Sequence, residues 1–200
     1  MEGWFNPVNS NANCVVSCGQ FASPRSGWLI YQGNGAGWNL RTYIGTSTTT
    51  AVNLTAGPVL TFGTWQHVAA TWDGTTGRLY VNGVLAGSQV PTSTPAYMPG
   101  QSGGFAVGRR ADNSFWWLGQ AADVALYNHV LTPQEIQSHA LNRPLVTIAP
   151  SGGGYVLTWP AGTGSLYACP EVNGTYTNVP SATAPWTITP TESRLFYRIA

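Results

Sequence analysis

The sequence carries very little charge and contains no lysine at all. Only 8% of its 200 residues are charged, and all eight basic residues are arginine. This share is about a third of what an ordinary soluble domain carries. The formal net charge is +1. A protein that binds nucleic acid by neutralising phosphates needs many more basic residues, so we expect no nucleic-acid partner.

Long apolar runs and a secretory leader are missing as well. No stretch approaches the roughly 18 apolar residues of a membrane-spanning helix, so we expect no membrane insertion. Met1 is followed by Glu-Gly-Trp-Phe-Asn-Pro, which lacks the basic start and apolar run of a leader. We therefore expect the chain to be a segment of a longer precursor, with the export signal outside it.

What the sequence has instead is polar, uncharged and aromatic. Nine Trp, nine Tyr and six Phe accompany many Thr, Ser, Asn, Gln and Gly residues. The apolar fraction of 43% is close to that of globular proteins, so the chain can bury a core. This composition is typical of an extracellular β-protein that handles neutral polar ligands, and carbohydrate is the main class of such ligands.

Three cysteines are present. Cys14 and Cys18 lie in one apolar run, and on an extended strand they are about 13 Å apart, too far for a disulfide. Their spacing does not match a zinc ribbon. We expect buried thiols, and a bridge from Cys14 or Cys18 to Cys169 stays open.

Alternation of apolar and polar residues predicts short strands almost throughout. Clusters of Gly, Pro, Asn and Ser separate them at the spacing of a β-sandwich. One helix is predicted near 132–141, because Thr132 is placed as its N-cap, Pro133 at its first position and Glu135 as the acid of a capping box. The helix ends before Pro144. The clearest predicted strands begin at Trp28, Trp38, Trp65, Arg78 and Gly104.

The composition changes after Pro144. Three glycines at 152–154 mark a turn, and the last fifty residues contain three or four predicted short strands. Such a segment is too small for confident independent folding. We predict one domain over residues 1–144 and a small C-terminal β module over residues 145–200 that packs on it.

Several blocks of sequence occur in a characteristic order and spacing. They are Trp65-Gln-His-Val-Ala-Ala-Thr-Trp-Asp-Gly, Gly77-Arg-Leu-Tyr-Val-Asn-Gly-Val-Leu, Phe105-Ala-Val-Gly, Asp123-Val-Ala-Leu-Tyr-Asn and Leu131-Thr-Pro-Gln-Glu-Ile. With them the chain resembles, over about residues 2–142, the laminin-G-like members of the concanavalin A-like lectin/glucanase superfamily. The resemblance implies an all-β, two-sheet antiparallel jelly-roll sandwich, in which the residues after Met1 form an early inner strand and the first strand or strands are absent.

The C-terminal fifty residues are similar to short tails of secreted bacterial proteins. The matching elements are Leu157-Thr-Trp, Gly164-Ser-Leu-Tyr-Ala, Gly174-Thr-Tyr-Thr-Asn-Val, Ala184-Pro-Trp and Phe196-Tyr-Arg. This similarity implies a secreted or cell-surface location in bacteria.

Calcium is often bound in the family, and here the sequence departs from its pattern. The family usually has Gly-x-Ile-Asp-Glu-Val in a late strand, whereas this chain has Gly119-Gln-Ala-Ala-Asp-Val. Ala122 therefore replaces the usual Asp, and the acid stands one place later at Asp123. A shift of one residue along a strand points a side chain to the opposite face. We expect no cofactor and no metal, with Asp123 as the ligand if calcium does bind.

A small glycoside hydrolase is the alternative function. Such enzymes need two carboxylates on the order of 5 to 10 Å apart. The chain has only seven acidic residues and lacks the Glu-x-Asp-x-x-Glu motif of the glucanase members. If the protein is an enzyme, Asp112 and Asp123 are the candidate acids and His67 is the candidate base. Otherwise we expect no catalytic residue, and His67 is structural.

The best candidate for ligand binding is the segment that ends in Trp116 and Trp117. On a shared strand these two side chains point to opposite faces. An exposed indole could cover the C–H face of a pyranose while neighbouring polar groups bind its hydroxyls. The competing interpretation is that the second Trp packs under the C-terminal module. The polar neighbours are Arg109, Arg110, Asp112 and Asn113.

A weaker second candidate is formed by Trp28 and Trp38, which flank the glycine-rich segment 32–37. Together these features predict a carbohydrate-binding, lectin-like or adhesion module of a secreted protein, with a glycan or polysaccharide as partner. Purely structural protein–protein adhesion stays open. If the first strand is absent, a sheet edge is left through which a homo-oligomer could form.

Overall fold

The computed structural model describes most of the chain in two compact units. The units span Met1–Ile136 and Gln137–Ala200. The described residues are 1–9, 13–33, 37–56, 60–97, 104–141, 147–159, 164–171, 174–188 and 195–199. The predicted boundary at residue 144 falls outside them, so that boundary and the packing of the second segment on the first stay predictions.

Ten strands make up the described part of the first unit, and one helix follows them. The strands are β1 (Glu2–Pro7), β2 (Asn13–Cys18), β3 (Trp28–Gln32), β4 (Trp38–Tyr43), β5 (Thr50–Ala56), β6 (Gln66–Trp72), β7 (Gly77–Val81), β8 (Val84–Gln89), β9 (Phe105–Val107) and β10 (Gly119–Ala125), and the helix is α1 (Pro133–Ala140). No helix in the described ranges is long and apolar enough to cross a membrane.

These strands form two antiparallel sheets of five, as the resemblance implies. The first has the order β10-β1-β6-β7-β8 and the second the order β5-β4-β3-β2-β9. Apolar side chains from both sheets, such as Phe5, Val68 and Leu79 from one and Val16, Ile30 and Trp38 from the other, meet in a single buried core. The all-β sandwich is therefore confirmed, and β1 is an inner strand flanked by β10 and β6.

The outer face of the first sheet is covered near α1. Ala69, Tyr80, Leu131 and Ile136 form a buried cluster there. The predicted capping box is present: Thr132 N and Oγ1 donate to Glu135 Oε2 at 2.7 and 2.9 Å, and Glu135 N donates to Thr132 Oγ1 at 3.2 Å. The helix forms where the sequence places it, because its first turn satisfies its own backbone donors.

A β-bulge in β10 lies at positions 123 and 124, next to the position where the family usually has its Asp. Trp4 lies opposite Ala122 and Glu2 lies opposite Ala125, so two residues of β10 face Gly3 alone. Asp123 adopts a positive φ of 50° at this point and is exposed. The sequence argument placed the Asp123 side chain on the face opposite to that of position 122, because it assumed regular alternation along the strand. The bulge interrupts that alternation, so the assumption is wrong at this point.

The second unit is built from short strands that pair among themselves. They are β11 (Thr147–Ser151), β12 (Gly154–Thr158), β13 (Leu166–Cys169), β14 (Thr177–Asn178), β15 (Trp186–Ile188) and β16 (Phe196–Ile199), in sheets of order β11-β12-β15 and β14-β13-β16. Leu157, Trp159 and Leu166 are buried between them. The sequence predicted three or four strands here, and β11 and β15 were missed.

All three cysteines are free thiols in the structure. Cys14 and Cys169 are buried, which confirms the prediction for these two, and Cys18 is half-buried. Burial raises the pKa of the Cys14 thiol to about 12. Cys14 is therefore an unreactive core residue.

Candidate functional site

The loop of residues 108–118, which joins β9 to β10, is tied closely to the second sheet. Gly108 N donates to Val15 O at 2.8 Å, and Cys14 N donates to Phe115 O at 3.1 Å. Trp117 N donates to Gly108 O at 2.8 Å, and this bond joins the two ends of the loop. These backbone bonds attach the loop to β2, so its side chains project from a fixed base.

Trp116 and Trp117 differ sharply in exposure. Trp117 is 9% exposed, and its Nε1 donates to the buried Gln32 Oε1 at 2.6 Å. Its ring packs edge-on against Phe5, with centroids 6.0 Å apart. Trp116 is 61% exposed. One Trp therefore anchors the loop in the core, and its neighbour presents an indole at the surface.

Arg109 stands beside the exposed indole. Its guanidinium carbon lies 5.6 Å from the centroid of the Trp116 ring, a cation–π distance. Ser17 Oγ donates to the carbonyl of Arg109 at 3.4 Å and holds the backbone at this point. The guanidinium covers one side of the ring, and most of the indole remains open to solvent.

Arg110 and Asp112 form a two-point ion pair in the same loop. Arg110 Nε and Nη2 donate to the two carboxylate oxygens of Asp112 at 2.9 and 2.6 Å, and Ser114 Oγ donates to Oδ1 at 2.6 Å. The Arg110 guanidinium also lies 4.3 Å from the Phe115 ring centroid. The hydrogen bonds from Arg110 hold the pKa of Asp112 at about 2, with a smaller contribution from Ser114 and opposed by partial burial.

A tight turn brings these polar groups together. Arg110 N donates to Ser114 O at 2.9 Å, and Asn113 N donates to Arg110 O at 3.0 Å. Asn113 has a φ of 64°, a left-handed conformation that Asn adopts more readily than most residues. The turn thus collects Arg109, Arg110, Asp112, Asn113 and Trp116 on one loop, which we call the Trp116 surface.

Two residues predicted for ligand binding lie elsewhere. Trp117 is the anchor described above, and Trp38 is fully buried, with its Nε1 donating to Gln66 Oε1 at 3.2 Å. Neither ring can reach a ligand at the surface, so both leave the proposed site as a correction. The physical reason is that Trp38 on β4 and Trp117 in the loop both pack in the core between the two sheets. Residues 34–36 of the glycine-rich segment lie outside the described residues.

His67, the candidate base, is buried within a polar cluster. It is 1% exposed, and its Nε2 lies 3.3 Å from Glu2 Oε2. The Tyr127 hydroxyl donates to Glu2 Oε1 at 2.7 Å. Burial and the hydrogen bond to Glu2 raise the pKa of Tyr127 to about 12. Because His67 is sealed from solvent, its position favours the structural interpretation.

Asp123 and Asp112 belong to different parts of the sandwich. Asp123 lies on β10, an edge of the first sheet, and Asp112 lies in the loop beyond β9, an edge of the second. Within the described ranges no three His, Cys, Asp or Glu side chains come together as metal ligands would. The expectation that no metal binds, with Asp123 as the ligand if calcium does bind, stays a prediction.

A cavity that the sequence did not indicate opens at one end of the sandwich. It has a volume of about 340 Å³ and lies where β3 and β7 begin and β4 and β6 end. Trp28, Trp72, Tyr97 and Tyr127 are among its lining residues. We call it the end cavity. Only Trp28 was singled out by sequence, because residues far apart in the chain meet here and no local pattern marks them.

Comparison with known proteins agrees with this architecture. A family model described as the concanavalin A-like lectin/glucanases superfamily, of the laminin-G type, matches residues 1–137. A rat (Rattus norvegicus) protein named Sushi, von Willebrand factor type A, EGF and pentraxin domain-containing protein 1 is 30% identical over 112 residues. That match covers 52% of this chain, and the chain spans only 3% of the length of the rat protein.

Two solved structures illustrate the likeness of fold. A putative carbohydrate binding protein from Bacteroides ovatus is 16% identical, with a TM-score of 0.55 over 81% of this chain and 49% of that chain. Domain 4 of an extracellular arabinanase from Geobacillus stearothermophilus, in complex with arabinotriose, is 20% identical, with a TM-score of 0.55 over 70% of this chain and 64% of that chain. At these identities the likeness concerns the fold alone.

Proposed function

We propose that this chain, which belongs to the concanavalin A-like lectin/glucanases superfamily, is a non-catalytic module that binds neutral glycans of a polysaccharide at the Trp116 surface. The observation that carries the proposal is the Trp116 indole, which is 61% exposed with the Arg109 guanidinium against its ring, on the same loop as the ion pair of Arg110 and Asp112. The two fold neighbours, one a putative carbohydrate binding protein and the other a domain in complex with arabinotriose, support the same class of ligand.

The residues divide the recognition of a sugar between them. The indole of Trp116 covers the apolar C–H face of the ring, and Asp112 accepts a hydrogen bond from a sugar hydroxyl. Arg110 fixes the carboxylate, and Arg109 and Asn113 supply donors at the rim. Arg110 is neutralised by Asp112, which leaves Arg109 as the one unpaired charge of the surface. The ionised Asp112 accepts a bond from a sugar hydroxyl but not from an ionised sugar carboxylate, which favours neutral over acidic glycans.

The hydrolase alternative is disfavoured because the other candidate acid, Asp123, lies on an edge strand of the other sheet, and Asp112 by itself is not a proton donor. A glycosidase acid must hold its proton near neutral pH, whereas Arg110 and Ser114 hold the pKa of Asp112 at about 2. Asp112 is therefore an ionised acceptor over the physiological range. That state suits binding of a hydroxyl group and not donation of a proton to a leaving group.

A glycan panel tests this function. Neutral oligosaccharides, acidic oligosaccharides and chromogenic glycosides are titrated against the wild type, Trp116→Ala and Trp65→Ala, whose Trp65 is 41% exposed outside the loop. We expect binding without turnover, at least about tenfold weaker in Trp116→Ala, which corresponds to roughly 1.4 kcal/mol, and unchanged in Trp65→Ala. Turnover of a glycoside, preference for acidic glycans, or equal binding by Trp116→Ala would contradict the proposal.

A further inference from the structure

Two partly exposed arginines of the first unit have no counter-ion in the chain. The sequence contains no acidic residue from Gly3 to Trp72, and Arg25 and Arg41 lie within this stretch. The first unit has five carboxylates, those of Glu2, Asp73, Asp112, Asp123 and Glu135. Among the described residues, none of them forms an ion pair with either arginine. The surface around these two arginines is therefore positively charged without local compensation.

Arg25 is held over an aromatic cluster that is separate from the core between the sheets. Its guanidinium carbon lies 5.8 Å from the centroid of the Tyr43 ring, a cation–π distance. Its Nε donates to the carbonyl of Phe21 at 3.0 Å, and the rings of Phe21 and Tyr43 pack edge-on in this cluster. Because Nε is occupied, the two Nη groups are the donors that can meet a ligand.

Arg41 repeats this arrangement on β4. Its guanidinium carbon lies 4.9 Å from the centroid of the Tyr31 ring, and its Nε donates to Asn53 Oδ1 at 3.1 Å. Arg41 and Tyr43 are two residues apart on one strand, so they share a face of the second sheet. Tyr31 pairs with Asn39, which is four residues from Tyr43 along β4. The two rings are therefore roughly 13 Å apart, too far for one carboxylate to serve both guanidinium groups.

A third arginine on the same cluster shows what such a guanidinium group binds. Arg110 lies 5.4 Å from the centroid of the Phe21 ring, and Asp112 accepts hydrogen bonds from its Nε and Nη2. Paired bonds of this kind between arginine and a carboxylate are strong and geometrically specific. On this cluster one guanidinium is neutralised within the chain, and those of Arg25 and Arg41 are not.

The spacing of the two arginines selects the kind of partner. Nucleic acid would need many more basic residues. An extended peptide directs alternate side chains to one side, and residues four apart in it are roughly 13 Å from each other, which matches the separation of the two rings. We propose that Arg25 and Arg41 with the rings of Tyr43 and Tyr31, which we call the arginine face, dock an extended acidic peptide segment of a partner protein. Two carboxylates of that segment, four residues apart, pair with the two guanidinium groups.

A short synthetic peptide tests the arginine face. The probe is acetyl-Glu-Thr-Leu-Thr-Glu-amide, and the full, isotope-labelled chain is titrated with it at low salt while NMR chemical shifts report binding. One control peptide has Gln in place of both Glu, and another, acetyl-Glu-Glu-Thr-Leu-Thr-amide, has the two acids adjacent. The variants are Arg25→Gln, Arg41→Gln and Arg198→Gln. The last removes an arginine that lies 4.5 Å from the Tyr176 ring centroid in the second unit, so it matches the others in charge and in ring contact.

The proposal predicts saturable binding of the probe, with a dissociation constant below about 1 mM and with shifts of the Arg25 and Arg41 Nε signals. Arg25→Gln and Arg41→Gln each weaken binding about fivefold, as expected for one partly exposed ion pair. Arg198→Gln binds like the wild type. Both control peptides bind at least about fivefold more weakly than the probe. Arg41→Lys keeps the charge without the planar fork and should lie between the wild type and Arg41→Gln.

Several results would overturn the proposal. They are no binding of the probe up to about 1 mM, equal binding of the Gln peptide, and an equal loss in Arg198→Gln, which would show a general effect of charge. An oligogalacturonate is titrated in parallel. If it binds and depends on Arg25 and Arg41, this face is a site for acidic glycans and the peptide assignment is wrong. Trp116→Ala should bind the probe like the wild type, so this proposal and the glycan site are tested separately.

Discussion

The Trp116 surface and the first turn of α1 are both short parts of the first unit, and they are held in place by opposite means. The α1 segment is fixed by residues three apart in sequence, through the reciprocal bonds of Thr132 and Glu135. The loop of the Trp116 surface is anchored by Trp117, whose indole bonds to Gln32, 85 residues away. One element depends on local chemistry and the other on the finished core.

This difference has a consequence for stability and function. Trp117 belongs to the core and also holds the loop that carries the exposed Trp116. A substitution at Trp117 therefore affects both stability and binding. The helix cap affects only its own turn and the residues that Ile136 packs against. Substitutions at the anchor, at the exposed indole, at the helix cap and in the ion pair change these connections one at a time.

The largest effect is expected from the anchor. Trp117→Ala removes a large buried ring and leaves Gln32 Oε1 without its donor, which should lower the free energy of unfolding by about 3 to 5 kcal/mol. Trp116→Ala removes an exposed ring and should lower it by less than about 1 kcal/mol. Urea denaturation followed by circular dichroism measures both.

The contrast between neighbouring positions is the informative part of that experiment. Glycan binding should be at least about tenfold weaker in both variants, but only Trp117→Ala should lose several kcal/mol of stability as well. If the two variants lose equal stability, Trp116 is a packing residue and the division between anchor and surface is wrong.

A smaller effect is expected at the helix cap. Thr132→Ala removes the hydroxyl that accepts a hydrogen bond from the Glu135 amide and donates one to the Glu135 carboxylate. Loss of an N-cap of this kind costs about 1 kcal/mol. Thr132→Ser is the matched control and should retain most of the stability. A change in glycan binding by Thr132→Ala would show that the helix cap and the Trp116 surface are coupled, and the two would then not be held independently.

Sequence could predict what local chemistry determines. The capping box, the strands that begin at Trp28 and Trp38 and the inner position of β1 all follow from periodicity, turn residues or the family pattern. Position 123 shows the limit of that approach. The alternation argument assumed a regular strand, and a bulge opposite Gly3 altered the register.

The sites depend on contacts that no single sequence reveals. Alternation along a strand predicted that Trp116 and Trp117 point to opposite faces. It could not predict which of the two is exposed, because that depends on the contacts of Trp117 with Gln32 and Phe5. Trp38 was misjudged for the same reason, since its partner Gln66 lies on the other sheet. The end cavity was missed entirely, because its walls come from strands and loops far apart in the chain.

The smallest predicted effect concerns the ion pair within the loop and its dependence on pH. The hydrogen bonds from Arg110 lower the pKa of Asp112 from 3.8 to about 2, so the ionised carboxylate stabilises the folded state. That contribution is fully present above about pH 4 and is lost as the pH falls towards 2. Because the pair is partly exposed, we expect only about 0.5 kcal/mol. The difference in free energy of unfolding between the wild type and Asp112→Asn, measured by urea denaturation from pH 7 to pH 2, should therefore shrink to a small fraction of its neutral-pH value over the last two pH units. In an Arg110→Gln background the same substitution should show no such dependence, and a difference that persists at pH 2 would mean that Asp112 stabilises the loop through something other than its charge.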